Sequence, residues 1–482
     1  MKEEKLSAVL ARFPEYDGNQ VERAYRQALE RDSHKVIVLD DDPTGVQTVH
    51  DVFVYTDWQK ETLREAFDDG NKISFLLTNS RGLTAAETQR IHRDIAAACH
   101  WAAAGRPYLL VSRSDSTLRG HYPLETETLR AALEALGEPS FDGEILMPFF
   151  KEGGRYTIDN VHYVASGDTL VPAGETEFAK DKTFGYESSD LRQWVAEKTK
   201  NTYPAEGVTA IPLELLRRCD YNAVEGLLMQ VENFGKVVVN AVSEEDAMVF
   251  VTALFSALAK GKRFLYRSAA ALAKALGGVS SRPLLSREEL VNRENRNGGI
   301  VVVGSHVNKT TMQLMKLREK TDMVFIEMNQ HLVVDDAAFA AEVDRVIRAA
   351  EDTIRQGKSC AVYTRRDRFD LNNGRPEDEL RMAVKISDAV TSVVGRLTVR
   401  PNFIIAKGGI TSSEIGTKAL RCRKARVMGQ ILQGIPVWET GEESIFPHMP
   451  YVIFPGNVGD EYALRDAVEK MQPEERSANH GE

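Results

Sequence analysis

The sequence predicts an α/β protein of two domains, each with a mainly parallel sheet flanked by helices. Three observations predict it. Short apolar runs recur, each closed by a polar or glycine turn and followed by a helix-period stretch, which is the pattern of parallel strands alternating with helices. The 482 residues exceed what one hydrophobic core ordinarily organises, about 250 to 300. Over Gly277 to Gly299 two Gly-Gly pairs, a proline and dense charge interrupt the apolar rhythm.

In chain order, the first half predicts strands at Val36 to Leu39, Ile73 to Leu77, Tyr108 to Val111, Glu144 to Met147 and Val237 to Asn240. The second half predicts them at Ile300 to Val303, Met323 to Ile326, Ala361 to Tyr363, Asn402 to Ala406 and Tyr451 to Phe454. This places an N-terminal domain at 1–280, a linker at 281–299 and a C-terminal domain at 300–482. Residues 148–190 are long and weakly periodic, and such a segment inside an α/β domain carries a β-hairpin, a lid or a substrate loop.

Composition narrows the function. Hydrophobic residues make up 43% and charged residues 27%, the balance of a globular chain. Lys and Arg total 61 against 71 Asp and Glu, a net charge of −10, which argues against nucleic acid or an anionic membrane as partner and for small-molecule chemistry. No stretch approaches the roughly 18 apolar residues of a membrane span, and the leading MKEEKLSAVLARFPEYD lacks an apolar signal core, so a cytoplasmic location is expected. Cys99, Cys219, Cys360 and Cys422 are too far apart for a CxxC motif, and the histidines show no HExxH spacing.

Open parallel sheets bind ligands beyond the carboxyl ends of their strands, so chemistry is sought in those turns. In VIVLDDDPTG, Asp40, Asp41 and Asp42 leave a strand together, and three adjacent carboxylates require a cation, a ligand hydroxyl or backbone donors to offset their repulsion. In YLLVSRSDSTLRG, Arg113, Asp115 and Arg119 surround several hydroxyls, a socket for a small hydroxylated acid: arginine takes a carboxylate through two hydrogen bonds and aspartate accepts from OH. LLTNSRGLTAAE brings Asn79 and Arg81 to a third strand end, where capping-box spacing accounts for Thr84 and Glu87.

The second half supplies glycine turns. NFIIAKGGITSSE places Lys407, Gly408, Gly409, Ile410 and Thr411 after a strand, with Thr411 and Glu414 again at capping-box spacing. Glycine lets backbone approach phosphate, and N–H groups at a helix start attract anions. VVVGSHVNKTT, with Ser305, and YVIFPGNVGDEYAL, with Gly456, are similar turns, and three in one domain point to a shared nucleotide site. DTIRQGKS is not a Walker motif, because Asp352 replaces the first glycine and the segment precedes a strand. No GxGxxG fingerprint follows a strand, which disfavours a dehydrogenase.

Taken in order, the DDxTG, DSTLRG, GS, GGxTS and PGNxG turns resemble the four-carbon acid sugar kinase family, from Val36 to Leu464. The resemblance implies an ATP-dependent enzyme that phosphorylates the terminal hydroxyl of threonate, erythronate or 3-oxo-tetronate, with the N-terminal domain holding the acid and the C-terminal domain the nucleotide across an inter-domain cleft. It implies Asp41, Asp42, Asp115 and Arg119 near the acid, and Ser305, Gly408 to Thr411 and Gly456 around ATP. Arg113 could join Arg119 in taking the carboxylate, Asn79 and Arg81 complete the acid-side turns, and Asp42 is the expected proton acceptor, with Asp115 as the second catalytic carboxylate. Magnesium is expected with ATP, its ligands unassigned. The chain departs from the family pattern at Arg113, where many members have lysine, and at Asp40 and Pro43. A non-catalytic sensor of sugar acid and nucleotide, or a two-domain dehydrogenase or lyase, are the alternatives; a homo-oligomer is compatible with the sequence.

Overall fold

A computed structural model describes residues 4–320, 322–371 and 375–472, so the outermost ends of both expected domains lie outside the described residues. The chain divides into two compact units, Met1–Ser281 and Arg282–Glu482. Both are α/β with parallel strands flanked by helices, as the sequence predicts.

In the first unit, the strands in chain order are β1 Glu4–Lys5, β2 Lys35–Asp40, β3 Phe53–Tyr55, β4 Ile73–Leu77, β5 Tyr108–Arg113, β6 Gly143–Met147, β7 Arg155–Ile158, β8 Val161–Ser166, β9 Thr169–Pro172, β10 Thr209–Ile211, β11 Gly235–Val239 and β12 Phe264–Ser268. The main sheet runs β10-β11-β6-β12-β5-β2-β4-β3, with every pairing along it parallel. Its central strands are buried on both faces, which is why they read as unbroken apolar runs. Strand β12 was not expected from the sequence: only Phe264, Leu265 and Tyr266 are apolar, and arginines flank them, yet it is wholly buried between β5 and β6. The segment at 148–190 carries β7, β8 and β9, which pair antiparallel with one another and with β1.

The second unit contains β13 Ile300–Val303, β14 Met323–Met328, β15 Ser359–Thr364, β16 Ile404–Lys407, β17 Lys424–Leu432, β18 Ile435–Thr440 and β19 Pro450–Phe454. Its order is β17-β18-β19-β16-β13-β15-β14, parallel from β19 to β14 and antiparallel through the β17 and β18 hairpin. The hairpin is not marked by an apolar run, because in β17 the half-buried Lys424 and Gln430 and the exposed Arg426 interrupt the buried residues. Leu285 and Leu290, within the expected linker, are buried in this unit's core, and Arg287–Leu290 is a short helix.

Each sheet has one position where the connections part in opposite directions. In the first unit β2 connects onward to β3 and β4 on one side and to β5 on the other; in the second, β13 connects to β14 and β15 on one side and to β16 on the other. Such switch points open a crevice at the strands' carboxyl ends. The DDDPTG and DSTLRG turns flank the first, and the Gly304–Ser305 and Gly408–Gly409 turns flank the second.

Candidate functional site

At the first crevice two arginines and a threonine hold the three adjacent aspartates. Asp40, at the end of β2, is buried and lies 3.3 Å from Arg113 Nη1. Burial raises its pKa to about 7, against the pull of Arg113. A side chain at Gly45 would run into the Asp40 carboxylate, so glycine is required where the turn folds back. Asp41, also buried, accepts two hydrogen bonds from Arg81, at 2.6 and 3.0 Å. Asp42 accepts from the Thr44 backbone N–H at 2.8 Å and the Thr44 hydroxyl at 2.5 Å, and lies 3.5 Å from Arg81 Nη1. Burial would raise the Asp42 pKa, but Arg81 and Thr44 outweigh it and hold it below the usual carboxylate range.

Asp42 is the outlier among the three, with a side chain 21% exposed against 3% for Asp40 and 2% for Asp41. It is ionised at neutral pH and reaches solvent. Asp115, after β5, accepts from Arg119 Nε at 2.8 Å and from the Thr117 hydroxyl. Burial opposes its ionisation, but Arg81 and Arg119 prevail and set its pKa far below the usual range. Asn79, left-handed at φ 52°, opens the Ser80–Gly82 turn that delivers Arg81 to Asp41. Thr84 and Glu87 form the expected capping box.

Arg113 stands differently from its expected role. Its side chain is 5% exposed and directed at Asp40, so it neutralises the acidic turn from within.

Beneath these turns lies a network that the sequence did not disclose. Glu125, buried on the helix Leu124–Ala135, accepts from Ser80 at 2.7 Å, Ser112 at 3.0 Å and Arg267 at 3.1 Å. Its pKa falls to about 2: burial opposes ionisation, while His92, Arg267 and the hydroxyls outweigh it. Arg267 also donates to the Arg119 carbonyl at 2.9 Å, so one ion pair ties the ends of β4, β5 and β12 together. Its signal, an arginine one residue before the end of a strand, is hidden because only three apolar residues mark that strand. His162 of β8 approaches from another side, with Nε2 2.8 Å from the Ser116 carbonyl and Nδ1 3.0 Å from the Thr157 hydroxyl. Burial lowers its pKa to about 4, leaving a neutral ring that can bridge the two.

In the second unit the crevice opens into a cavity of about 810 Å³ lined by Ser305, Gly408, Gly409, Ile410 and Thr411 among others. Gly456 is not among the residues lining it; its carbonyl accepts from Lys407 Nζ at 3.2 Å and from the Thr310 hydroxyl at 3.2 Å, which in turn lies 3.3 Å from the hydroxyl of the lining Ser305. Lys407 is fully buried and also donates to the Pro455 carbonyl at 2.5 Å, pinning the last glycine turn. Burial, then Lys309, lowers its pKa to about 7. Gly304 admits no side chain because Thr411 Oγ1 occupies that space, and Gly408 has φ 123°.

The Thr411 to Glu414 capping box is not formed. The helix begins earlier, at Gly409 with Gly408 as its cap, which puts Thr411 inside the first turn; Glu414 instead accepts from Ser387 and Lys418. One cavity wall is apolar, with Leu380, Ala383 and Val384 from the helix Pro376–Gly395 alongside the exposed Ile410. Opposite in character are Arg366 and Arg368; Arg366 donates to the Ser305 carbonyl at 2.6 Å and has a buried Nη1 with no partner. An apolar wall, glycine backbone and guanidiniums together suit a flat base joined to a polyanion. The rejected Gly357–Lys358–Ser359 leads into β15, at the opposite end of that strand from the cavity.

Residues 36–276 match a family model for a sugar-binding N-terminal domain, and residues 300–464 one for a nucleotide-binding C-terminal domain. A D-erythronate kinase from Heliobacterium modesticaldum is 24% identical over 319 residues; the match covers 64% of this chain and 66% of that relative, just under two thirds of its length. A solved Haemophilus influenzae structure has a TM-score of 0.59 at 16% identity, covering 90% of this chain and 100% of the other. A Salmonella typhimurium structure reaches 0.65 at 15% identity, covering 92% and 100%. These two likenesses concern the fold.

Proposed function

The chain belongs to the four-carbon acid sugar kinase family, and from that premise we propose that it transfers the γ-phosphoryl group of ATP to the terminal hydroxyl of a threonate, erythronate or 3-oxo-tetronate type acid, giving the 4-phosphate. One observation carries the reading. The crevice of the family's sugar-binding domain holds an ionised, solvent-reaching carboxylate, Asp42, among arginines, while the crevice of its nucleotide-binding domain is a glycine-walled cavity.

In this reading Asp42 accepts a hydrogen bond from the terminal hydroxyl, aims its oxygen at the γ-phosphorus and takes the proton as the new P–O bond forms. Its low basicity suits a loose transition state, in which orientation of the acceptor matters more than early deprotonation. Asp115 and Arg119 bind the hydroxylated acid. Ser305, Gly408 to Thr411 and Gly456 hold the phosphates, and the Leu380 and Val384 wall takes the base. Transfer requires the loaded enzyme to bring hydroxyl and γ-phosphate together and to exclude water.

Magnesium fits the donors available. Among the described residues no group of three metal-ligating side chains occurs, so a hard cation would be held mainly by phosphate oxygens and water, with Asp42 or Asp115 as the protein carboxylates. It would supply charge neutralisation on the transferring group. The test is ADP release across a panel of tetronates and oxo-tetronates: release that depends on one of these acids supports the reading, and none across the panel refutes it.

A further inference from the structure

Among the described residues of the sugar-binding unit, one guanidinium near the crevice has no counter-ion. Arg155 begins β7, and its Nε is buried with no hydrogen-bond partner. Among the described residues it forms no ion pair; its side chain donates only to the carbonyl of Gly153, two residues back. Arg119 and Arg155 contact the same ring, with guanidinium carbons 5.2 and 5.7 Å from the centroid of Phe178. Arg119 is already engaged by Asp115 at 2.8 Å and flanked by Asp181 at 3.8 Å. Arg155 has no such partner, although burial lowers its pKa, with Asp115 acting against that effect.

A desolvated cation without an anion is costly, and an anionic ligand is what would relieve it. Of the two guanidiniums that the sequence offered for a substrate carboxylate, Arg113 is taken by Asp40 and Arg119 by Asp115. The strands that carry Arg155 are braced against the DSTLRG turn by the His162 contact to the Ser116 carbonyl, which fixes Arg155 relative to Asp115 and Arg119.

We propose that Arg155, beside Arg119 on Phe178, is the carboxylate seat of the acid-sugar site, its planar fork taking the substrate's C1 carboxylate through two hydrogen bonds. The assignment rests on the acid-sugar reading above. It leaves Asp115 for the hydroxyls and puts the carboxylate at the end of the ligand away from the oxygen that Asp42 orients.

The experiment is steady-state kinetics of full-length wild type, Arg155→Met and Arg155→Lys with the tetronate panel at saturating magnesium and ATP. For Arg155→Met the acid KM should rise about thirtyfold or more with kcat changed only a few-fold, as expected when a bidentate charge-assisted contact made equally in ground and transition states is lost. The ATP KM should stay unchanged, and Arg155→Lys should restore part of the acid affinity. An unchanged acid KM in an active Arg155→Met enzyme, or acid and ATP KM rising together in both variants, overturns the assignment alone. A folded wild type that turns over none of the acids overturns the acid-sugar reading and the assignment with it.

Discussion

Arg81 grips Asp41 with two parallel hydrogen bonds, Nη2 to Oδ1 at 2.6 Å and Nε to Oδ2 at 3.0 Å, while its remaining nitrogen lies 3.5 Å from Asp42. One guanidinium therefore serves two of three consecutive carboxylates. It is what allows an acidic turn to persist at the end of a buried strand.

Removing that cation should be severe. In Arg81→Met, Asp41 becomes a buried charge without its partner, a change that costs about 3–5 kcal/mol. Denaturant unfolding of the N-terminal unit should register the loss. Arg81→Lys should recover only part, because an ammonium cannot reproduce the two-pronged contact. Equal stability of Arg81→Met and wild type would contradict the account.

Asp42→Asn tests the chemistry more than the fold. The amide oxygen can still accept from Thr44, so the turn should survive. Turnover should fall by about 10²- to 10⁴-fold, the usual share of a proton-accepting side chain. ATP affinity, measured by calorimetry, should change only a few-fold. Normal turnover would remove Asp42 from its role.

Much of this site was legible in the sequence, for a physical reason. Parallel strands buried on both faces read as apolar runs, so the turns after β2, β5, β13 and β16 were identified together with the charged or glycine residues in them. Which arginine faces which carboxylate was not legible, since Arg81, Arg113, Arg119 and Arg155 look alike in a string of letters and differ only in what surrounds them. Arg113 turns inward because Asp40 is buried opposite it on the neighbouring strand. The Glu125 and Arg267 pair was out of reach for another reason: 142 residues separate its members, and the second lies in a strand with three apolar residues.

Gly304→Ala should weaken the nucleotide site selectively. The added methyl group meets Thr411 Oγ1 and forces the Gly409–Glu414 helix start to shift. Overpacking of this kind costs about 1–3 kcal/mol, so the ATP KM should rise by roughly 5- to 150-fold. The acid KM should hold. Unaltered ATP kinetics would show that this turn does not touch the nucleotide.

Lys407 gives a pH signature. Its pKa drops from 10.5 in the unfolded chain to about 7 in the folded one, so between these values the unfolded chain binds the extra proton. The stability it confers is present in full above pH 10.5 and is lost as pH falls through 7. The wild-type advantage over Lys407→Met should therefore widen from pH 7 to 10, with a slope of at most about 1.4 kcal/mol per pH unit. Thermal melting across that range reads it, and a constant difference would mean that Lys407 titrates as an ordinary lysine.

The step on which the rest depends is transfer of phosphoryl to the hydroxyl oxygen on the acid's terminal carbon. Phosphorus NMR of the purified protein with magnesium, ATP and each tetronate or oxo-tetronate in turn measures it directly. The account predicts that for at least one acid ATP is replaced by ADP and a new phosphomonoester resonance, split into a triplet by the two protons of the terminal methylene. Intact ATP with every acid, or inorganic phosphate formed at the same rate with and without acid, would contradict it.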